Sequence, residues 1–475
     1  MRTIYSRYFP IASLLLLASC GGGSGSTAST ADTSLPTATQ LATYSDAQIV
    51  ALGTSINQLS NSTLEALTYA TNNTTNPTGQ IESLTAAQIT ALSPAQVQLI
   101  GAAGAGGVPT TPLIRYLNAG AWAQLVNNPA QVAAMTAEVI PTLTGDEIAA
   151  FGNNMNQLSN AALAALTYAT NASSNPIGQI ESITPGEIAA LSPAQVRLIG
   201  AAGPGGVNGT SEIAWLNSGT WSILASNPTQ VASITPDEIP TLSASKIVAL
   251  GSNINQLSSA ALAALTYTTN ASINPIGQIE SITAAQIATL SPAQVQLIGS
   301  AGAGGVITTP NISWLNAGAW ETLVSNPAQV AAFTANEIPT LSANEIVALG
   351  SNLNQLSNAA LAALSYGTNA SSNPVGQIES ITATQLAGLS PAQVSILASI
   401  SPGTAIAYLN TGAFGAFTAN QIAVITPANI VDVSATELAA LSVNTLAGMM
   451  PITIASLTSA QKSLLSSAQH TACGC

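Results

Sequence analysis

Charged and aromatic residues are scarce in this chain. Of its 475 residues, 5% are charged and 4% aromatic, and His470 is the single histidine. Each shortage removes a class of function. A nucleic-acid binder needs a basic footprint to displace counterions from phosphate, but here 6 basic residues face 19 acidic ones, a balance of -13. Docking on anionic lipid through basic clusters fails for the same reason. Histidine-dependent catalysis has one candidate, close to the C-terminus. Gly-x-Ser-x-Gly, His-Glu-x-x-His and Cys-x-x-Cys patterns are all missing. Beyond the first twenty residues no stretch is long and apolar enough to span a bilayer. No enzyme, cofactor or metal site is expected.

What the chain has instead is repetition. Asn-Gln-Leu-Ser begins at Asn57, Asn156, Asn255 and Asn354, each 99 residues after the last. Gly-Gln-Ile-Glu-Ser returns at Gly79, Gly178, Gly277 and Gly376, and Ser-Pro-Ala-Gln-Val at Ser93, Ser192, Ser291 and Ser390. Four copies fit as 37–135, 136–234, 235–333 and 334–432, followed by a tail of 433–475.

Inside each copy runs a finer period of eight. The tail shows it plainly, with Phe417, Ile425, Val433, Leu441, Met449, Leu457 and Leu465 heading successive octads. Position two is usually Ser or Thr, position five Gln, Glu or Asn, and position six Ile, Val or Leu. A continuous α-helix would rotate this apolar stripe by about 80° per octad, so no face would stay buried. A strand would point positions one and six to opposite faces. The pattern suits a chain that restarts a short helix every octad. Position two is then the N-cap and position five is N3, together a capping box. Positions one and six become the hydrophobic staple. Pro94, Pro185, Pro193, Pro236 and Pro427 fall at N1, where the missing N–H costs nothing. The fold expected is mainly α, a solenoid-like array of short capped helices in four 99-residue repeats. A β-solenoid is the alternative, favoured by Thr, Ile and Val content and opposed by the prolines at N1 and the alanine-rich positions between caps.

Two insertions interrupt the octads. One is the polar stretch 169–176 and its equivalents. The other is the Gly-rich stretch from Gly200 to Gly209, matched by Gly101 to Gly107 and Gly299 to Gly305 and shortened to Ser401-Pro402-Gly403 in the last copy. They read as loops on one side of the array. No Lys or Arg follows Gly101 to Gly107, so a P-loop is not indicated and a simple turn is.

Arg2 and Arg7 precede the apolar run Ile11 to Leu17, and Leu17-Ala18-Ser19-Cys20 closes it. This describes an export signal over residues 1–19. Its end resembles the lipobox of bacterial lipoproteins, and the resemblance implies that Cys20 becomes the acylated first residue of the mature chain. Several acyl chains anchor stably where one is marginal. Residues 20–36 read as a flexible Gly/Ser/Thr tether. Gly21 at mature position two, rather than Asp, implies the outer membrane by the same resemblance. Removing 1–19 leaves four basic residues, Arg115, Arg197, Lys246 and Lys462, against 19 acidic ones.

Tyr116-Leu117-Asn118-Ala119-Gly120-Ala121-Trp122 recurs with Trp215 and Trp221, with Trp314 and Trp320, and with Tyr408 and Phe414 at its two ends. These pairs hold all five tryptophans. They plug the core beneath the long loop, or they stack on sugar rings and anchor a protein partner; the core reading is favoured. Glu82, Glu181, Glu280 and Glu379 recur singly, which suits solvated or helix-capping carboxylates rather than paired catalytic or calcium-binding ones. Cys473 and Cys475 offer a local disulfide, a cross-link to another molecule or, least favoured, a metal site with His470.

The octads resemble those of long repetitive bacterial surface and adhesin-like proteins. That resemblance implies a non-enzymatic, lipid-anchored protein of the cell envelope with a structural or adhesive role at the surface. The alternative is a polysaccharide- or peptidoglycan-binding module built on the aromatic pairs. Partners are then the membrane, through the lipid, and a surface polysaccharide or surface protein, with no nucleic acid.

Overall fold

The computed structural model describes residues 35–69, 79–103, 111–168, 178–202, 211–267, 277–300, 311–366, 376–401 and 403–475. The signal segment with Cys20, the polar stretch 169–176 with its equivalents, and most of the Gly-rich stretches lie outside these residues. Among those described, the chain is a succession of α- and 3-10 helices three to nine residues long, with no strand. It is a helical solenoid, as the octads predict.

Each octad makes its helix by the same local chemistry. Ser93 sits in extended backbone and accepts from the Gln96 amide, while Gln96 Oε1 accepts from the Ser93 amide at 3.0 Å; Pro94 occupies N1. Such a cap contributes about 1 kcal/mol. Leu92 is at once the C-cap of Ala86–Ala91 and the residue before the next N-cap, extended and buried. The apolar head of each octad is therefore a corner. It ends one helix, drives the chain round, and plugs the interior.

Side chains between layers give the length of one coil. Asn154, Asn253 and Asn352 donate to carbonyls 28 residues earlier, those of Val126, Ala225 and Val324. Where an insertion intervenes the step grows, to 39 residues from Gln80 to Leu41 and to 36 from Asn118 to Glu82. One copy thus winds through three coils, two carrying an insertion and one plain. At helix–helix spacings of about 8–10 Å, a given position recurs every ~25–30 Å along the axis.

The interior is aliphatic, lined by residues such as Ile49, Ile89, Leu125 and Ile148, all fully buried. Running through it is a set of buried glutamines. Gln88 accepts from the Thr85 amide with Oε1 and donates with Nε2 to the Ile49 carbonyl, 2.7 Å away in the neighbouring coil. Gln286 and Gln385 do the same with Ile247 and Ile346. Short helices have almost as many unpaired end groups as internal bonds. One amide here satisfies an N-terminal donor of its own helix and a C-terminal carbonyl of the next layer, which removes the usual penalty for a buried polar side chain.

The fourth copy departs from the others at one residue. Gly101, Gly200 and Gly299 have φ between 65° and 69° and lie in the turns that follow short helices such as Pro292–Val295. Ala398 stands at the matching place, and there the helix runs on as Pro391–Ser399. A residue with a Cβ resists the left-handed turn, so the chain stays helical.

Candidate functional site

The two aromatics of each recurrent motif go to different places. In the second copy Trp215 ends the 3-10 turn Ile213–Trp215, Leu216 forms the buried corner, and Asn217 caps the helix Ser218–Ser226. Trp221 lies on the inner side of that helix with 2% exposure, whereas Trp215 is 43% exposed. Trp122, Trp320 and Phe414 are buried like Trp221, and Trp314 and Tyr408 are exposed like Trp215. Tyr116 is half-buried. The core reading therefore holds for the second residue of each motif and fails for Trp215, Trp314 and Tyr408, while Tyr116 packs against the core from its half-buried position, and the rings of one motif do not form a pair.

The exposed rings are paired, but with tyrosines from elsewhere. Trp215 stacks on Tyr168 with centroids 4.8 Å apart and planes within 10°. Trp314 stacks on Tyr267, Tyr116 on Tyr69 and Tyr408 on Tyr366, at 4.5 to 5.0 Å. These tyrosines were not singled out in the sequence. Their own recurrence at Tyr69, Tyr168, Tyr267 and Tyr366, again every 99 residues, is the signal that marks them.

Gly-Gln-Ile-Glu-Ser holds each stack together. Gln179 Oε1 accepts from the Thr167 amide at 2.9 Å, and the Ile180 amide donates to the Thr167 carbonyl, which clamps the chain just before Tyr168. Gln179 Nε2 then donates to Ile140 and Leu143 in the adjacent coil. On the other side, the Glu181 carbonyl accepts from Asn217, two residues after Trp215. The same bonds recur around Gln80, Gln278 and Gln377. One turn thus pins both partners of the stack. The recurrent Glu82, Glu181, Glu280 and Glu379 are half-buried beside it.

The copies differ in what stands on the stack. Arg115 lies over the Tyr116 ring, 4.7 Å from its centroid, with its Nη2 donating to the Tyr116 hydroxyl. Ala214, Ser313 and Ala407 take that place in the other copies, where no side chain at that position can supply a cation to Trp215, Trp314 or Tyr408. Beneath Trp215, Lys246 Nζ donates to the carbonyls of Ala214 and Leu216 and approaches the Trp221 ring. Burial lowers its pKa, and the Glu181 carboxylate partly opposes this.

Buried carboxylates occupy some glutamine-like positions. Glu187, Glu238, Glu337 and Glu437 accept hydrogen bonds from Thr184, Thr235, Thr334 and Ser434, each three residues earlier, but desolvation raises their pKa above the ordinary carboxyl value. Glu238 has further help from Ser211 and Arg197. Glu337 Oε1 is buried without a hydrogen-bond partner.

Cys473 and Cys475 form a disulfide with each other, and His470 Nδ1 lies 2.8 Å from the Cys475 carbonyl. Among the described residues no cluster of three His, Cys, Asp or Glu side chains could hold a metal ion, and no helix is long and apolar enough to cross a membrane. No protein-family model matches the chain, and neither does any curated protein or any solved structure.

Proposed function

We propose that this chain is a non-enzymatic repeat protein of the bacterial cell envelope, anchored by lipid at Cys20, whose solenoid serves as a structural or adhesive element at the surface. The observation that carries this reading is the recurrence of one stacked aromatic pair in each of four copies, with Trp215, Trp314 and Tyr408 exposed and the same clamp holding every pair. A catalytic centre needs one distinctive constellation. Four related pairs along one array suit repeated contact with an extended partner instead. The lipobox-like ending at Cys20 supports the anchor.

Protease shaving of intact cells tests the placement, with blotting for the repeat body and a protected periplasmic protein as control. Digestion without lysis is expected, together with release of the chain from the membrane fraction on Cys20→Ala substitution. Protection until the outer membrane is opened would sink the surface role. Retention of the substituted chain on the membrane would sink the anchor.

A further inference from the structure

We infer that the stacked pairs form a row of subsites for an uncharged polysaccharide, with Trp215 and Trp314 as the principal platforms; this rests on the reading of the chain as a surface array and names its ligand class. Each tryptophan is stacked on its tyrosine, and the two residues nonetheless remain 43% and 44% exposed. Backing by a second ring and a clamped backbone fixes the plane of the platform before any ligand arrives, which lowers the entropy cost of binding. A pyranose ring offers a flat C–H face of matching size to such a surface.

Three observations select this occupant. Without residues 1–19 the chain carries 4 basic against 19 acidic residues, a balance of -15, which repels an acidic polymer. With 5% charged residues, the surface between platforms is rich in uncharged Ser, Thr, Asn and Gln, which suits a hydroxyl-bearing partner. The platforms are single pairs about 25–30 Å apart along the axis, too dispersed for the contiguous apolar centre of a protein–protein interface. Weak sites in a row are instead well suited to a polymer, where each bound segment raises the effective concentration of the next. The first copy is the exception, because Arg115 already lies over Tyr116.

Affinity electrophoresis of the full chain in mild detergent tests this, in gels cast with hydroxyethylcellulose, a galactomannan or soluble starch, and with alginate as the acidic counterpart. Retardation in at least one neutral gel and none in alginate is expected. Trp215→Ala and Trp314→Ala should each weaken it by about tenfold, with circular dichroism unchanged. Arg115→Ala should strengthen it by uncovering a further ring. Retardation in no neutral gel, equal retardation in alginate, or no effect of the double tryptophan variant would each overturn the inference. Cells that still adhere to a protein-coated plate while the purified chain ignores every neutral glycan would keep the adhesive reading and discard this one. Binding to neutral glycan by a chain that shaving places in the periplasm would do the reverse.

Discussion

The coils before residue 401 and those after Phe417 are built from one octad, yet only the first group carries insertions, tryptophans and stacked pairs. Both use the same glutamine bridge. Gln461 joins its own N-cap, Thr458, to the Ile430 and Val433 carbonyls, as Gln278 joins Thr266 to Ile239 and Leu242. The tail reaches back 28 to 31 residues to do so, the insertion-bearing coil 36 to 39. Beyond Phe417 the buried apolar residues of the tail are Ile, Val, Leu and Met, with no aromatic among them. The octad is thus a complete scaffold by itself. The clamp, the left-handed glycines and the aromatics are fitted onto a coil that stacks without them.

The largest effect should come from the aromatic plug that the tail lacks. Trp221→Ala removes a ring with 2% exposure and should cost about 3–5 kcal/mol, whereas Trp215→Ala, six residues away and outside, should cost about 1 kcal/mol. Hydrogen exchange of the surrounding coil is the suitable readout, since a solenoid opens piecewise. Equal costs for the two would erase the division between scaffold and platform.

Gln278→Leu should destabilise its coil by about 2–4 kcal/mol, because it strands one amide and two carbonyls. Gln461→Leu strands the Thr458 amide and the Ile430, Val431 and Val433 carbonyls in the tail and should open its coil similarly. Only the first should also disturb the Tyr267–Trp314 stack, read as lost near-ultraviolet circular dichroism. A stack unmoved by Gln278→Leu would show that the clamp is not what places it.

Gly299→Ala puts a Cβ 2.5 Å from Ile279 Cδ1 at a φ of +65°, and should cost about 1–3 kcal/mol. The substituted third copy should then resemble the fourth, with helix continuing past Val295 as it does through Ala398, measurable as helical carbon chemical shifts at 296–299. A neutral substitution without such shifts would remove the glycine from the explanation.

The smallest effect concerns charge. Burial raises the Glu337 pKa, so the stability tied to its protonated form is present in full below the unfolded carboxyl value and is lost as pH rises through the folded one. The coil around Glu337 should therefore show higher protection factors, with the intrinsic pH dependence of amide exchange divided out, at pH 5 than at pH 8. Glu337→Gln should stabilise it by about 1 kcal/mol at pH 8 and flatten the dependence. Unchanged pH dependence in that variant would assign the effect to other carboxylates.

Much of the scaffold was legible because its rules are local. Ser93, Pro94 and Gln96 announce a capped helix within four residues, and the structure has the predicted cap, N1 proline and capping box. What lies in the second half of the same side chain was not legible. Gln96 Nε2 reaches Asn57, 39 residues back, and that partner depends on how many octads close a coil, which no single octad encodes. The aromatic site was misread for a similar reason. Proximity in sequence joined Trp215 to Trp221, but the corner at Leu216 sends them to opposite sides, and the true partner, Tyr168, lies beyond both insertions of the copy.

The bridges between coils also have a mechanical meaning. The glutamine amides join carbonyls of one layer to caps of the next, so they run along the solenoid axis and bear any load applied to its two ends. Force on such a stack is carried in series, and the weakest coil yields while its neighbours hold. A plain coil of 28 residues releases about 100 Å of slack when pulled straight. Stretched, the molecule would behave less like a rod than like a row of breakable links, lengthening in steps and reforming each one when the tension falls.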